Sequence, residues 1–248
     1  MITIKTPQEI KKLRQGGQIL AKIIREVIRQ IKPGISIFEL DQLAEELIKK
    51  AGGRPSFKGF EGYPTAACIS INEEVVHAIP RKEKILKEGD IVGVDIGLEY
   101  EGLYTDMART VAVGRISKKT NRLLKVTQKA LAIGIKQVKP GQTTGDIGQA
   151  IQHYVEKHGF SVVRSLVGHG VGHQVHEEPR LPNFGRKGEG EVLKEGMVLA
   201  LEPMVNVGGS DVITKEDKWT IITADGSLSA HFEDTVAVTR QGAEILTK

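Results

Sequence analysis

Asp95 and Asp106 are the residues from which chemistry can first be read. They sit in two apolar runs, Ile91 to Leu98 and Leu103 to Val113, that flank the short polar segment Glu99-Tyr100-Glu101-Gly102. Such a pattern predicts a β-hairpin with a tight loop. With the loop centred between Tyr100 and Glu101, the two carboxyls stand directly opposite each other, their Cβ atoms roughly 4.5–5.5 Å apart. Like charges at that separation repel. Either one carboxyl keeps its proton or a cation lies between the two.

The stretch Gly168-His169-Gly170-Val171-Gly172-His173-Gln174-Val175-His176-Glu177-Glu178-Pro179 offers nitrogen donors. Three glycines at every second position argue against a helix and for an extended segment. Strand alternation then puts His169 and His173 on one face and His176 on the other, unless a bulge re-aims them. Because histidine is the commonest metal ligand and acid–base group, at least one of the three is expected to be functional. Glu202 and Glu233, like the two aspartates, interrupt or border apolar strands, where a buried unpaired charge is costly. Glu177 and Glu178 read as ordinary surface carboxylates. Four acids and one imidazole form a hard, oxygen-rich set that suits two Mn, Fe, Co or Zn ions better than a cysteine-type zinc site does. Ions bridged in this way lie roughly 3.5–4 Å apart and hold a hydroxide between them as nucleophile.

The rest of the chain must position these groups. Its 248 residues, 40% hydrophobic and 27% charged, are enough for a substantial buried core and exclude disorder. A single cysteine, Cys68, excludes an internal disulfide or a zinc finger and makes a reduced, cytoplasmic protein the default. No apolar run reaches the length of a membrane span, and the N-terminus has no signal-peptide core. The net charge of +4 is carried by lysines read as interleaved with acids, a solvated surface rather than a nucleic-acid patch.

Thr6-Pro7-Gln8-Glu9 starts a long first helix, and Ser36 with Glu39 forms the capping box of a second that stops at Gly52-Gly53. Short strands are expected over Ala66 to Ile71 and Val75 to Ile79. Further helices follow, from about Lys119 to Val138 and from Thr143 or Thr144 to His158. These later elements repeat the earlier ones. At a shift of 107 positions, Lys32-Pro33-Gly34 recurs as Lys139-Pro140-Gly141, Leu86-Lys87-Glu88-Gly89 as Leu193-Lys194-Glu195-Gly196, and Asp95 falls on Glu202. Arg109-Thr110-Val111-Ala112-Val113 is echoed by Asp234-Thr235-Val236-Ala237-Val238 at a shift of 125, so the second half has the longer connection between its strands. Several matches at one shift are not coincidence. The sequence predicts a single domain over residues 1–248, α+β in class. Its pseudo-twofold, curved antiparallel sheet is backed by helices, and the acids line its inner face.

The set VDIG with Asp95, YTDMARTVAV with Asp106, GHGVG with His169, LALEPM with Glu202 and HFEDTVAVT with Glu233 resembles the methionine aminopeptidases. The likeness is to the short bacterial type I form of these pita-bread metallohydrolases, and it runs from Thr6 to Thr239. It implies that Asp95 chelates one metal, that Asp106 and Glu233 bridge two, and that His169 and Glu202 bind the other, with Glu202 also accepting a proton from the attacking water. It implies further that His77, in Asn72-Glu73-Glu74-Val75-Val76-His77, contacts the substrate amide and assists the leaving group. His176 would stabilise the oxyanion. The methionine pocket would fall on Phe57, Phe60, Tyr63, Cys68, Val175 and Trp219. Other members often carry cysteine, tyrosine and phenylalanine at the first, second and fifth of these, and cysteine at the position of Val76. A monovalent cation is expected near Asn72, Glu74 and Ser229.

The function so implied is removal of the initiator methionine from nascent chains and peptides whose second residue is small. The enzyme would be a monomer in transient contact with the ribosome, without stable nucleic-acid or membrane binding. Two other readings compete. Prolidase- or creatinase-like hydrolases carry an additional N-terminal domain, and non-enzymatic members of the fold lose ligands that are all retained here.

Overall fold

A computed structural model describes residues 2–248. Helices begin where the sequence offers side chains to cap them. Helix α1 (Pro7–Arg29) opens on Thr6, whose hydroxyl accepts from the Glu9 N–H while the Glu9 carboxylate accepts from the Thr6 N–H. The same reciprocal pair, Ser36 with Glu39, opens α2 (Ile37–Lys50), and Thr143 with Asp146 opens α4 (Thr144–Lys157). Helix α3 (Lys118–Gln137) is capped by Ser117 alone.

The strands before α3 are β1 (Arg54–Pro55), β2 (Ala67–Ile71), β3 (Glu74–Val76), β4 (Ile91–Tyr100) and β5 (Leu103–Ala112). After α4 come β6 (Ser161–Val162), β7 (Val167–Gly170), β8 (Glu177–Pro182), β9 (Val198–Leu201) and β10 (Met204–Asn206). The last five are β11 (Val212–Thr214), β12 (Ile221–Thr223), β13 (Ser229–His231), β14 (Glu233–Thr239) and β15 (Gly242–Ile245). A nine-stranded antiparallel sheet has the order β1-β4-β5-β14-β9-β7-β8, with β2 on β4 and β15 on β14. The hairpins β4–β5 and β9–β14 thus meet at the centre of one sheet.

Alternation along the strands separates two faces. Val92, Val94 and Ile96 of β4 pack with Ile24 of α1 and with Leu40, Ala44 and Ile48 of α2. On the other side of the repeat, Leu199 of β9 and Val236 of β14 pack with Leu131 of α3 and with Ile147, Ile151 and Val155 of α4. The helix residues Leu40, Ala44 and Ile48 become Ile147, Ile151 and Val155 at the shift of 107, and all six are buried. The same shift relates the bridge Ser36–Ile85 to the bridge Thr143–Val192. Helices cover one face, and the odd-numbered residues of β4, Asp95 among them, face the other.

Three sequence expectations are corrected. Asp95 and Asp106 are not directly opposite, because Asp95 pairs with Ala108 and Asp106 with Gly97. The turn consists of Glu101 and Gly102 alone, both with positive φ (51° and 79°), so Glu99 and Tyr100 remain strand residues and the pairing moves by two positions. A shift of two keeps both aspartates on one face. The strand expected over Val75 to Ile79 ends at Val76, where His77 turns to φ 57°. The basic residues are not everywhere interleaved with acids: residues 107–145 hold nine lysines and arginines and no aspartate or glutamate. Among the described residues, no helix is long and apolar enough to cross a membrane.

Candidate metal centre and active site

Strand register alone assembles the centre. Ala108 of β5 pairs with Asp95 of β4 on one side and with Glu233 of β14 on the other, so a row of three side chains crosses the sheet with its smallest in the middle. Asp106 stands two residues along on the same face. Leu201 pairs with Asp234, which brings Glu202, the next residue, level with Glu233. His169 of β7 pairs with Ala200, and its Nε2 lies 3.5 Å from Glu202 Oε1. Its Nδ1 lies 2.9 Å from the Gly170 carbonyl oxygen. A carbonyl can only accept, so the proton is on Nδ1 and the Nε2 lone pair faces the acids.

The electrostatics of this cluster call for cations. Burial, with repulsion from Asp106 and Glu202, pushes Asp95 well above the usual carboxylate range, and burial with repulsion from Asp106 does the same to Glu202. Burial and the neighbouring acids likewise raise Glu233, and burial lifts Asp106 to about 7 against hydrogen bonds from Met107 and Asp95. Asp95 Oδ1 and Glu233 Oε1 are buried without any hydrogen-bond partner. Asp106, His169 and Glu233 each bring a donor atom within 4.8 Å of the others. Oxygen-rich, mutually repelling and with two carboxylate oxygens left unpaired, these groups fit divalent ions.

Two cavities meet at the centre. One, of about 120 Å³, is walled by Phe57, Phe60, Tyr63, Cys68 and Trp219 on its apolar side and by the acids on the other. Gly97 lets Phe57 approach the sheet, since a Cβ there would come within 2.7 Å of the ring. Tyr63 donates to the Ala78 carbonyl at 3.0 Å and packs edge-on against Trp219. The second cavity, of about 650 Å³, is open and includes Leu166, Met204 and Arg180 in its walls. His77, His169, His176 and Glu202 line both.

Most residues singled out in the sequence converge here, with four differences. His176 joins His169, their rings edge to face at 4.4 Å, whereas His173 turns away to Glu9. The β7–β8 register shifts between Gly168 and Gly170 and β7 ends at Gly170, so alternation no longer governs which way the later rings point. Val175 is buried but does not line the small cavity; its neighbour His176 takes that wall. Glu177 is not a surface carboxylate, because Lys5 pairs with it in the interior. Glu74, in the expected monovalent-cation site, has its carboxylate occupied by Lys84 at 2.5 Å and Lys215 at 3.3 Å.

His231 was not foreseen. It is buried, its Nε2 is unpartnered, and it lies 3.5 Å from Glu202 Oε2 and 3.9 Å from Glu233 Oε2. The repeat could have found it, since the shift of 125 carries Asp106 onto His231 rather than onto Glu233. The structure repeats the same correspondence. The Thr235 hydroxyl bonds both main-chain groups of Asp106, and the Thr110 hydroxyl bonds both main-chain groups of His231. Burial keeps the imidazoles neutral, lowering His77 to about 4 and His169 and His231 to about 3.

A ring of acids and imidazoles at the junction of two repeated β-hairpins defines a metallohydrolase of the pita-bread type. The chain belongs to metallopeptidase family M24, whose family model matches residues 11–240. It is 50% identical to methionine aminopeptidase 1 of Bacillus subtilis over the whole of both chains. To methionine aminopeptidase of Escherichia coli it is 42% identical, over 99% of this chain and 94% of the other. The crystal structure of methionine aminopeptidase from Thermotoga maritima superposes with a TM-score of 0.98 at 50% identity, covering both chains fully. Prolidase from Pyrococcus furiosus superposes at 0.80 and 26% identity, but over only 65% of its own length.

Proposed function

We propose that this protein is a methionyl aminopeptidase that releases N-terminal methionine from peptides and nascent chains whose second residue is small. The observation that carries this reading is the meeting of a small, apolar-walled slot and a larger cleft at His77, His169, His176 and Glu202. A slot of about 120 Å³ holds one side chain, and an apolar wall with the Cys68 sulfur suits an unbranched thioether. The rest of the peptide lies in the open cleft. A slot of that size has room for one side chain and not for a further stretch of peptide, so the first peptide bond is the one placed at the junction.

Asp95, Asp106, His169, Glu202 and Glu233 would hold two divalent ions of the Mn, Fe, Co and Zn group, with Asp106 and Glu233 shared between them. Such ions, when bound, polarise the scissile carbonyl and make water acidic enough to attack near neutral pH. Glu202 accepts the proton of the attacking water and passes it toward the leaving amine. His176, neutral and edge-on to His169, donates to the carbonyl oxygen as it gains charge. His77 hydrogen-bonds the amide that departs.

Three finer assignments belong to the same proposal. A monovalent cation near Asn72, Glu74 and Ser229 would take main-chain oxygens, since the Glu74 carboxylate is already neutralised; a rise in Tm with added potassium tests it. The enzyme works in the cytoplasm as a monomer, which sedimentation of the purified protein checks. Transient docking on the ribosome is supported by α3, where Lys118, Arg122, Lys125, Lys129 and Lys136 are exposed at positions i, i+4, i+7, i+11 and i+18 of one face. Salt-sensitive co-sedimentation with ribosomes, weakened by glutamate at Lys125 and Lys129, is expected.

The test of the activity is the release of free methionine from Met-Gly-X and Met-Leu-X peptides. Turnover of the first alone, and only with added divalent metal, is expected. Preferential cleavage of X-Pro dipeptides would instead assign the chain to the prolidase branch.

A further inference from the structure

A second polar cluster, outside the metal centre, joins the N-terminal segment to the loop that carries His176. Residues 171–176 connect β7 to β8, and a chain with glycines at 168, 170 and 172 has little rigidity of its own. Glu177 closes the loop from its base, its Oε1 accepting the main-chain N–H groups of His173 at 2.5 Å and Gln174 at 2.9 Å. Its Oε2 accepts from Lys5 Nζ at 2.6 Å and from the Thr3 hydroxyl. The Lys5 and Glu177 side chains are 1% and 4% exposed. Gly172, at φ 142°, leaves the space that the lysine stem fills, since a Cβ there would come within 2.4 Å of Lys5 Cε. Lys5 is itself anchored, its N–H donating to the Gly196 carbonyl at 2.8 Å. At the tip of the loop, His173 Nε2 donates to Glu9 Oε1 at 2.7 Å, in the first turn of α1.

A buried ion pair is a poor device for stability, because apolar side chains of similar volume often serve as well. What it provides is one fixed geometry. Here that geometry belongs to the loop whose last residue is His176.

We infer that residues 3–9 form a clasp that positions His176, with Lys5, acting through Glu177, as the positioning residue. The inference rests on the role given to His176 above. Without the ammonium group the Glu177 carboxylate would turn to solvent and release the two loop amides. His176 would then sample orientations in which it cannot reach the carbonyl oxygen, and small misplacements of a catalytic group cost rate steeply.

The experiment uses the full-length, metal-loaded enzyme on a Met-Gly-X peptide. Lys5→Met is expected to lower kcat and kcat/KM together by about tenfold, with KM and metal content unchanged. In a His176→Ala background the same change should cost nothing further, because no imidazole is left to position. A purely structural role would reduce both backgrounds alike, and equal losses would overturn the inference. Thr3→Val removes one donor without stranding a charge, so it serves if Lys5→Met does not fold. It should give a smaller loss with the same dependence on His176. Undiminished kcat in both variants, with faster amide exchange at His173 and Gln174, would also overturn it. If the wild-type enzyme releases no methionine, the role of His176 has failed, and the exchange measurement alone decides whether Lys5 holds the loop.

Discussion

The two halves of the molecule share the capping box of their second helix, its buried face and a bridge at its start, yet they differ in what joins their inner strands. In the first half β4 runs into β5 through Glu101 and Gly102 alone. In the second, β9 is separated from β14 by residues 202–232, which build β10 to β13 and carry Trp219 into the pocket wall. A tight hairpin can hold two aspartates on neighbouring pleats but can reach nothing beyond its own width. The longer excursion reaches over the centre and supplies both a pocket wall and His231. The repeated strands thus form the floor of the site, while the long connection adds Trp219 to a wall that Phe57, Phe60, Tyr63 and Cys68 of the first half otherwise supply.

The largest expected effect breaks the shared floor. Asp106→Ala should abolish turnover, a loss of at least about three orders of magnitude, because the proposed ligand common to both ions disappears. In metal-free protein the same residue has an opposite consequence. Its folded pKa of about 7 lies above the ordinary carboxylate value near 4, so the folded state binds the proton more tightly than the unfolded state. Stability should therefore fall as pH rises from about 4 to about 7, lowering Tm at pH 7.5 relative to pH 5.5. Asp106→Asn should lessen that slope, to which Asp95, Glu202 and Glu233 also contribute, and an unchanged slope would mean that the carboxyl is not held protonated by its surroundings.

Chelation tests whether the two halves need the ions to stay together. EDTA should remove all activity but leave the far-UV signal and a single cooperative melting transition, since the hydrophobic clusters of both halves are complete without metal. Two separate transitions would show the halves to be independent folding units.

Further down the scale, His176→Ala should lower kcat by roughly two to three orders of magnitude with little change in KM and no loss of metal. His77→Ala should act similarly on peptides but be partly rescued on a methionine anilide, whose better leaving group needs less help. Trp219→Ala isolates the contribution of the long connection. It should raise KM by about tenfold and leave kcat within a few fold, as loss of uniform binding does. The smallest effect is expected at His173, whose partner is Glu9 and not the centre: His173→Ala should stay within about threefold of wild type. Loss of a metal in that variant, but not in His169→Ala, would reassign the ligand.

Much of the fold was legible because its signals are short. Each capping box, Thr6 with Glu9, Ser36 with Glu39 and Thr143 with Asp146, is complete within four residues, and the buried helix faces follow from helical spacing alone. The repeat needed no structure either, since it compares the chain only with itself. The acids of the centre could be found because a charge inside an apolar strand is costly wherever that strand lies. His231 was available from the same repeat, between the apolar Ala230 and Phe232, but a search for carboxylates passes over an imidazole.

Tertiary structure decided whatever depends on which distant atoms meet. The offset of Asp95 from Asp106 came from backbone angles at Glu101 and Gly102, which polarity alone does not specify. The side to which His176 points follows from a register shift between Gly168 and Gly170 and from the end of β7 at Gly170. Lys5 and Glu177 stand 172 positions apart, and neither looks different in the sequence from a solvated surface charge. Local hydrogen bonds and periodicity are written in neighbouring residues, whereas burial and pairing are properties of the packed chain as a whole.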